Sequence, residues 1–187
     1  MQTIEQSVEV DVPVSTAYNQ WTQFEEFPEF MEGVEQVQQM GDNKLHWVAE
    51  VAGHRHEWDA EIYEQIPDQR IEWRSISGTP NEGVVRFEGL PENRTRVLVR
   101  ISYEPSGAAE KVGTALGLAS ARVKSDLKRF KEFIESHSTP TGAWRGEIRG
   151  GEKSQEVRTA ARSKRLFGEQ SGSISASGTS DSGMGTQ

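Results

Sequence analysis

The chain opens on an alternation. Ile4, Val8, Val10 and Val12 fall on one side of an extended backbone, and Glu5, Ser7, Glu9 and Asp11 on the other. A period of two predicts a half-buried strand over 3–12. Pro13 ends it. Ala17, Tyr18, Trp21 and Phe24 then recur at helical spacing, with Ser15 and Thr16 available as caps. Phe27-Pro28-Glu29-Phe30-Met31 is short and interrupted, and predicts a second short helix or turn.

The middle of the chain fixes its own register. Residues 44–51 and 54–66 fold back through Ala52-Gly53 so that Trp47 faces Trp58 and Ala49 faces His56. On the other face Lys44 meets Glu61, His46 meets Asp59 and Glu50 meets Arg55. A slip of one residue destroys both matches. Exposed cross-strand pairs are worth about 0.2–1 kcal/mol each, so the charges select register more than they stabilise it. A turn at Pro67-Asp68 sets Ile62 against Trp73 and Glu61 against Arg74, which predicts a Lys44–Glu61–Arg74 ladder across three strands. Pro91-Glu92-Asn93 closes another hairpin, with Asn93 suited to a left-handed position; Phe87 then faces Val97, Val85 faces Val99 and Glu88 faces Arg96. The hairpins agree on which face is apolar.

From 108 to 137, Val112, Leu116, Ala119, Val123, Leu127, Phe130 and Ile134 recur at steps of three and four, the stripe of one long helix. Gly113 and Gly117 near its start, each costing about 1 kcal/mol relative to Ala, predict a need for slenderness or a bend. The predicted fold class is therefore α+β: a seven-stranded curved antiparallel sheet around a long C-terminal helix, with two short helices after the first strand. A sheet gripping a helix is expected to leave an apolar cavity between them.

This order, with Val12-Pro13-Val14-Ser15-Thr16-Ala17-Tyr18 leading into Trp21-Thr22-Gln23-Phe24-Glu25-Glu26-Phe27-Pro28-Glu29-Phe30-Met31, resembles the START-like (SRPBCC) superfamily. In particular it is similar to the polyketide cyclase/dehydrase branch that includes coenzyme Q-binding proteins. The terminal helix around Asp126-Leu127-Lys128-Arg129-Phe130 fits the same branch. The resemblance covers residues 1–137 and implies a helix-grip, Bet v 1-like fold. Because that superfamily holds lipid carriers, hormone receptors, aromatase/cyclases and oxygenase subunits, it implies no single chemistry.

Trp47, Trp58, Ile62, Trp73, Phe87, Val99, Ile101 and Tyr103 converge on the inner face, with Leu116 and Val123 on the helix above them. Singly, each is a plausible core residue; together they are read as the wall of a ligand site. His54 and His56, at period two on the same face, lack a third ligand, so no metal is expected. Glu64 is the one carboxylate the registers turn inward, and Tyr18 and Tyr103 are candidates to orient a carbonyl. No triad or dyad emerges. The 104–118 segment reads equally as a gate or as a plain strand-to-helix turn.

Composition narrows the classes. The net charge is −8 and there is no cysteine, which excludes disulfides and thiolate chemistry. The acidic excess lies before His137, which disfavours nucleic acid. No apolar run is long enough to span a bilayer, and a cytoplasmic, monomeric or homodimeric protein is expected. Residues 138–170 are expected to be at best a partly ordered extension in which Trp144 docks, with a basic cluster at Arg158, Arg162, Lys164 and Arg165. Residues 171–187 form a low-complexity Ser/Gly tail. The leading reading is binding, transport or sensing of a small hydrophobic molecule such as an isoprenoid quinone, polyketide or lipid, without cofactor and without assigned catalysis. A polyketide cyclase/dehydratase and an interaction module using the basic tail are the alternatives.

Overall fold

A computed structural model describes residues 1–51, 53–104 and 113–153. Strand β1 (Gln2–Val10) leads into helix α1 (Val14–Trp21) and a 3₁₀ helix (Phe24–Glu29). Six strands follow: β2 (Val34–Gln39), β3 (Lys44–Val51), β4 (His54–Ile66), β5 (Arg70–Gly78), β6 (Asn81–Leu90) and β7 (Arg94–Tyr103). Helix α2 spans Gly113–His137, and two-residue strands β8 (Ile148–Arg149) and β9 (Glu152–Lys153) close the described chain. All pairings are antiparallel, in the order β1-β7-β6-β5-β4-β3-β2. The seven long strands form the expected curled sheet. Residues 105–112, which hold most of the 104–118 gate segment and the start of the predicted helix, lie outside the described residues, as do the basic cluster and Ser/Gly tail beyond Lys153.

The predicted hairpin registers hold where charge and shape agree. Trp47 faces Trp58, Ile62 faces Trp73, and Phe87 faces Val97. His46 Nδ1 lies 2.7 Å from Asp59, Arg74 reaches Glu61 and Arg96 reaches Glu88. Arg55 departs from expectation: it pairs with Glu35 and Glu57 rather than with Glu50 opposite. At Pro91–Asn93 both Glu92 (φ 64°) and Asn93 (φ 55°) are left-handed, where the sequence indicated only Asn93.

Two bulges interrupt the β4–β5 pairing, the first leaving Ile76 of β5 without an opposite residue and the second Tyr63 of β4. The β4–β5 register shifts between Asp59 and Ala60 and again between Ile62 and Glu64. A bulge inserts one unpaired residue and reverses the faces beyond it. Glu64, expected inward by strict alternation, therefore points out and accepts a hydrogen bond from Arg70 Nε (2.9 Å), while Gln65 turns inward with 1% exposure. The cap of α1 also differs: Pro13 sits at the cap position, neither Ser15 nor Thr16 makes a capping bond, and the first turn closes on the Pro13 carbonyl. Proline's fixed φ suits that entry without a side-chain cap.

Helix α2 spans the gap between the sheet's two edges. On the β1 side, Ser120 accepts from Gln6, Lys131 donates to the Glu9 carbonyl, and Glu135 accepts from the Asp11 amide. On the β2 side, Arg122 and Arg129 donate to the Glu32 and Phe30 carbonyls, and Asp126 accepts from the Glu32 amide. Gly33, at φ 90°, leaves room for Arg122 there. Between these ties Leu127, Phe130 and Ile134 are 3%, 0% and 0% exposed. Ser138 in the left-handed region (φ 61°) and Pro140 beyond it end the helix.

The chain after the helix packs back on the domain. Thr141 bonds Gln20 and Glu26, the Trp144 amide donates to Thr22, and Arg145 grips the Asp68 carboxylate with two bonds (3.0 and 2.7 Å). Ile148 pairs with Gln65 on β4, beyond the reach of β3, and is fully buried. Residues 138–153 thus continue the core, and a buried isoleucine truncated to alanine costs about 2–5 kcal/mol. Ile148→Ala is expected to lose that much in urea unfolding; a loss below about 0.5 kcal/mol, the scale of a surface change, would show the extension to be a mere appendage.

Tyr18, fully buried beneath this extension, accepts from Gln65 Nε2 at 2.9 Å. Burial pushes its phenol from 10.0 up to about 12. A group raised in the folded state contributes stability below its ordinary pKa and loses it as pH climbs through the shifted one. Tyr63, raised to about 12 as well, titrates in the same range, so absorbance titration is expected to show two phenolates appearing only near pH 12 and one of them lost in Tyr18→Phe; an unchanged amplitude there in that variant would contradict the assignment.

Candidate functional site

The concave face of the sheet has two unlike ends. One is sealed by α1 and the 3₁₀ helix, which deliver Tyr18, Trp21, Phe24, Phe27 and Phe30 against Phe130 of α2. Their rings meet at tilted or edge-on angles: Trp21–Phe130 at 5.0 Å, Phe30–Phe130 at 5.2 Å and Tyr18–Phe87 at 5.4 Å. These are favourable quadrupole geometries. The polar groups inside this end are satisfied: Gln65 bonds Tyr18, Gln20 bonds Glu26 and Thr141, and Thr95 donates to the Val12 carbonyl. Ile62, Phe87 and Val99 belong to this continuous core, at 1%, 6% and 4% exposure.

The other end carries large apolar side chains that are only half-buried. Trp47, Trp58, Trp73, Ile101, Tyr103, Leu116 and Val123 are all in this state. Trp47 and Trp58 stack with centroids 5.7 Å apart and planes 7° from parallel, and Trp47 also touches Phe27 of the sealed end. Trp73 lies across the neighbouring strand: a Cβ on Gly83 would come within 2.3 Å of its indole. Glycine in a strand interior marks such close approach, and Gly83 was the available signal for where this ring would lie. The helix follows the same gradient, from buried Ile134 and Phe130 to half-buried Val123 and Leu116. Gly117 is exposed with open space around it, so the slenderness expected there meets no close neighbour.

Polar groups rim this end. Tyr103 bonds Gln2, Gln6 bonds Ser120, and His56 Nδ1 lies 3.2 Å from Thr79. His54, expected beside His56 on the inner face, is exposed. No group of three metal-binding side chains occurs among the described residues. The carboxylates do not assemble for acid–base work either. Glu64 is outside, its carboxyl held low by the Arg70 guanidinium. Asp126 is raised by burial but is occupied with the Glu32 amide and Arg129. Two surface clefts lie away from this end. One of ≈ 620 Å³ lies beside Arg70, Arg86 and Arg96, and one of ≈ 260 Å³ beside Phe30 and Arg129. Neither is lined by the three indoles.

Comparison with known proteins agrees with this architecture. The family described as "Polyketide cyclase / dehydrase and lipid transport" matches residues 10–132. An uncharacterised 17.2 kDa protein of Streptomyces lincolnensis, from the melC2-rnhH intergenic region, is 49% identical over 149 residues, 79% of this chain and 99% of that one. Among solved structures, a START superfamily protein from Mycobacterium smegmatis superposes with a TM-score of 0.61 at 15% identity, covering 72% of this chain and 98% of its own. The Zhui aromatase/cyclase from Streptomyces sp. R1128 gives 0.59 at 16% identity, covering 76% and 99%. At such identities the likeness is one of fold. No helix among the described residues is long and apolar enough to cross a membrane. With the family model matching residues 10–132, a relative 49% identical along nearly its whole length and a curled sheet closed on a C-terminal helix, the chain belongs to the polyketide cyclase/dehydrase and lipid transport family and has its START-like, helix-grip fold.

Proposed function

We propose that this chain binds a small, largely apolar and planar molecule at the open end of the sheet, as a carrier or sensor rather than as a catalyst. One observation carries the reading. Three indoles on successive strands remain half-exposed on the concave face, two of them stacked, while the opposite end is closed by aromatic packing. Burying an aromatic ring is worth roughly 1.5–3 kcal/mol, so indoles held short of burial on an inner face await a partner that completes it. Trp47, Trp58, Trp73, Ile101, Tyr103, Leu116 and Val123 are the wall, and Ile62, Phe87 and Val99 the floor. Quinones and fused-ring polyketides have the required shape.

Binding without turnover is favoured over cyclisation or dehydration by the disposition of ionisable groups. Acid–base chemistry needs a shifted acid or base within reach of the substrate. The inward carboxylate that the sequence offered, Glu64, faces outward and is paired. Tyr18, its phenol pushed up to about 12, is shut inside the sealed end.

Tryptophan emission reads the site directly. Adding menadione or a polycyclic aromatic is expected to quench and shift it saturably. Trp58→Ala is expected to weaken binding about tenfold, the equivalent of one ring contact of ~1.4 kcal/mol, with native circular dichroism retained because Trp58 is only half-buried. Emission indifferent to quinones, polycyclic aromatics and fatty acids alike would sink the proposal.

A further inference from the structure

The open end contains one buried polar atom with nothing to bond. His56 shares the inner face of β4 with Trp58, Ala60 and Ile62 and stands opposite Ala49, itself 5% exposed. Its Nδ1 is engaged with Thr79 Oγ1, but its Nε2 is buried without a hydrogen-bond partner. A buried, unsatisfied nitrogen is destabilising relative to an apolar replacement of the same shape. Among the described residues the other such atom, Arg94 Nε, belongs to a guanidinium already paired with Glu9. His56 has no comparable compensation, and it lies two residues from the stacked indole pair.

We propose that His56 Nε2 is the polar anchor of the ligand site. The site then selects an aromatic ring system carrying a phenolic hydroxyl or a carbonyl oxygen, in preference to a bare hydrocarbon or an acyl chain. The inference rests on the binding function proposed above and adds the ligand's polar group to it. The contact with Thr79 allows either sense. When Nδ1–H donates to Thr79 Oγ1, Nε2 presents a lone pair to a ligand hydroxyl. When the threonine hydroxyl donates instead, Nε2–H meets a carbonyl. A flat ring lies against the Trp47–Trp58 stack while its oxygen reaches the imidazole. Apolar burial supplies affinity, and the single polar contact supplies discrimination, because a ligand lacking the oxygen leaves Nε2 unpaired.

The test is a thermodynamic cycle between 2-naphthol and 2-methylnaphthalene, which differ by a hydroxyl and a methyl of similar size, on wild-type protein and His56→Phe. Intrinsic solubility differences cancel in the cycle. The wild type is expected to prefer 2-naphthol by about 5- to 10-fold more than the variant does, and His56→Gln, which keeps a hydrogen-bonding end, to restore part of the preference. The ¹⁵N resonance of His56 Nε2 in wild-type protein is expected to move with 2-naphthol and to stay with 2-methylnaphthalene. This readout decides the question even if the phenylalanine variant does not fold. Equal preference in both proteins, or an unmoved Nε2 resonance under saturating 2-naphthol, overturns the anchor while leaving the aromatic site standing. Failure of both compounds to bind the wild type overturns the site itself, and the anchor with it.

Discussion

A curled sheet with one apolar face has two free edges and a hollow, and both must be covered for the chain to stay folded and monodisperse. Helix α2 does both. Its C-terminal half drives Leu127, Phe130 and Ile134 into the hollow, each worth roughly 1.5–3 kcal/mol of apolar burial. Its polar flanks tie β1 through Gln6, Glu9 and Asp11, and the approach to β2 through Phe30 and Glu32. Those backbone and charge-assisted bonds fix the height and angle at which the helix crosses the sheet. Everything about the site follows from that placement, because the helix decides how much of the concave face is filled and how much is left.

The filling is uneven. Two short helical segments after β1 pack five aromatic side chains under one half of α2, and the extension after the helix seals the same end from outside with Arg145, Trp144 and Ile148. Among the described residues, no equivalent plug covers the indoles at the other end. Stability is concentrated where packing is dense, so the sealed end is suited to be scaffold and the open end to accept a guest. A packed scaffold with a small number of placed polar groups around an apolar opening is the general form of a small-molecule site.

The sequence carried most of this. Cross-strand matches of charge and of tryptophan fixed three hairpin registers, and a stripe at steps of three and four placed the helix, because both are local periodicities written in side-chain chemistry. What it withheld was non-local. The bulge after Ile62 exchanges Glu64 for Gln65 on the inner face, and alternation alone has no term for an inserted residue. The buried Gln65–Tyr18 bond, the clasp of Arg145 on Asp68 and the β8 pairing all join residues dozens of positions apart. The extension after Thr139 was expected to dock through Trp144; the sheet pairing of Ile148 was not foreseen, because a lone isoleucine among glycines carries no strand periodicity. Gly83 offered a usable hint, since a glycine inside a strand facing Trp73 leaves space for a ring and for little else.

The proposed binding requires an apolar space between the indoles of the sheet and the half-buried Leu116 and Val123 of α2. Xenon enters such spaces and avoids packed cores and polar clefts. Diffraction from xenon-pressurised crystals is therefore expected to show a bound atom within contact of Trp73, Ile101 and Val123, and none among Tyr18, Trp21 and Phe130. Xenon found only at the sealed end, or excluded from the indole face altogether, would contradict the account.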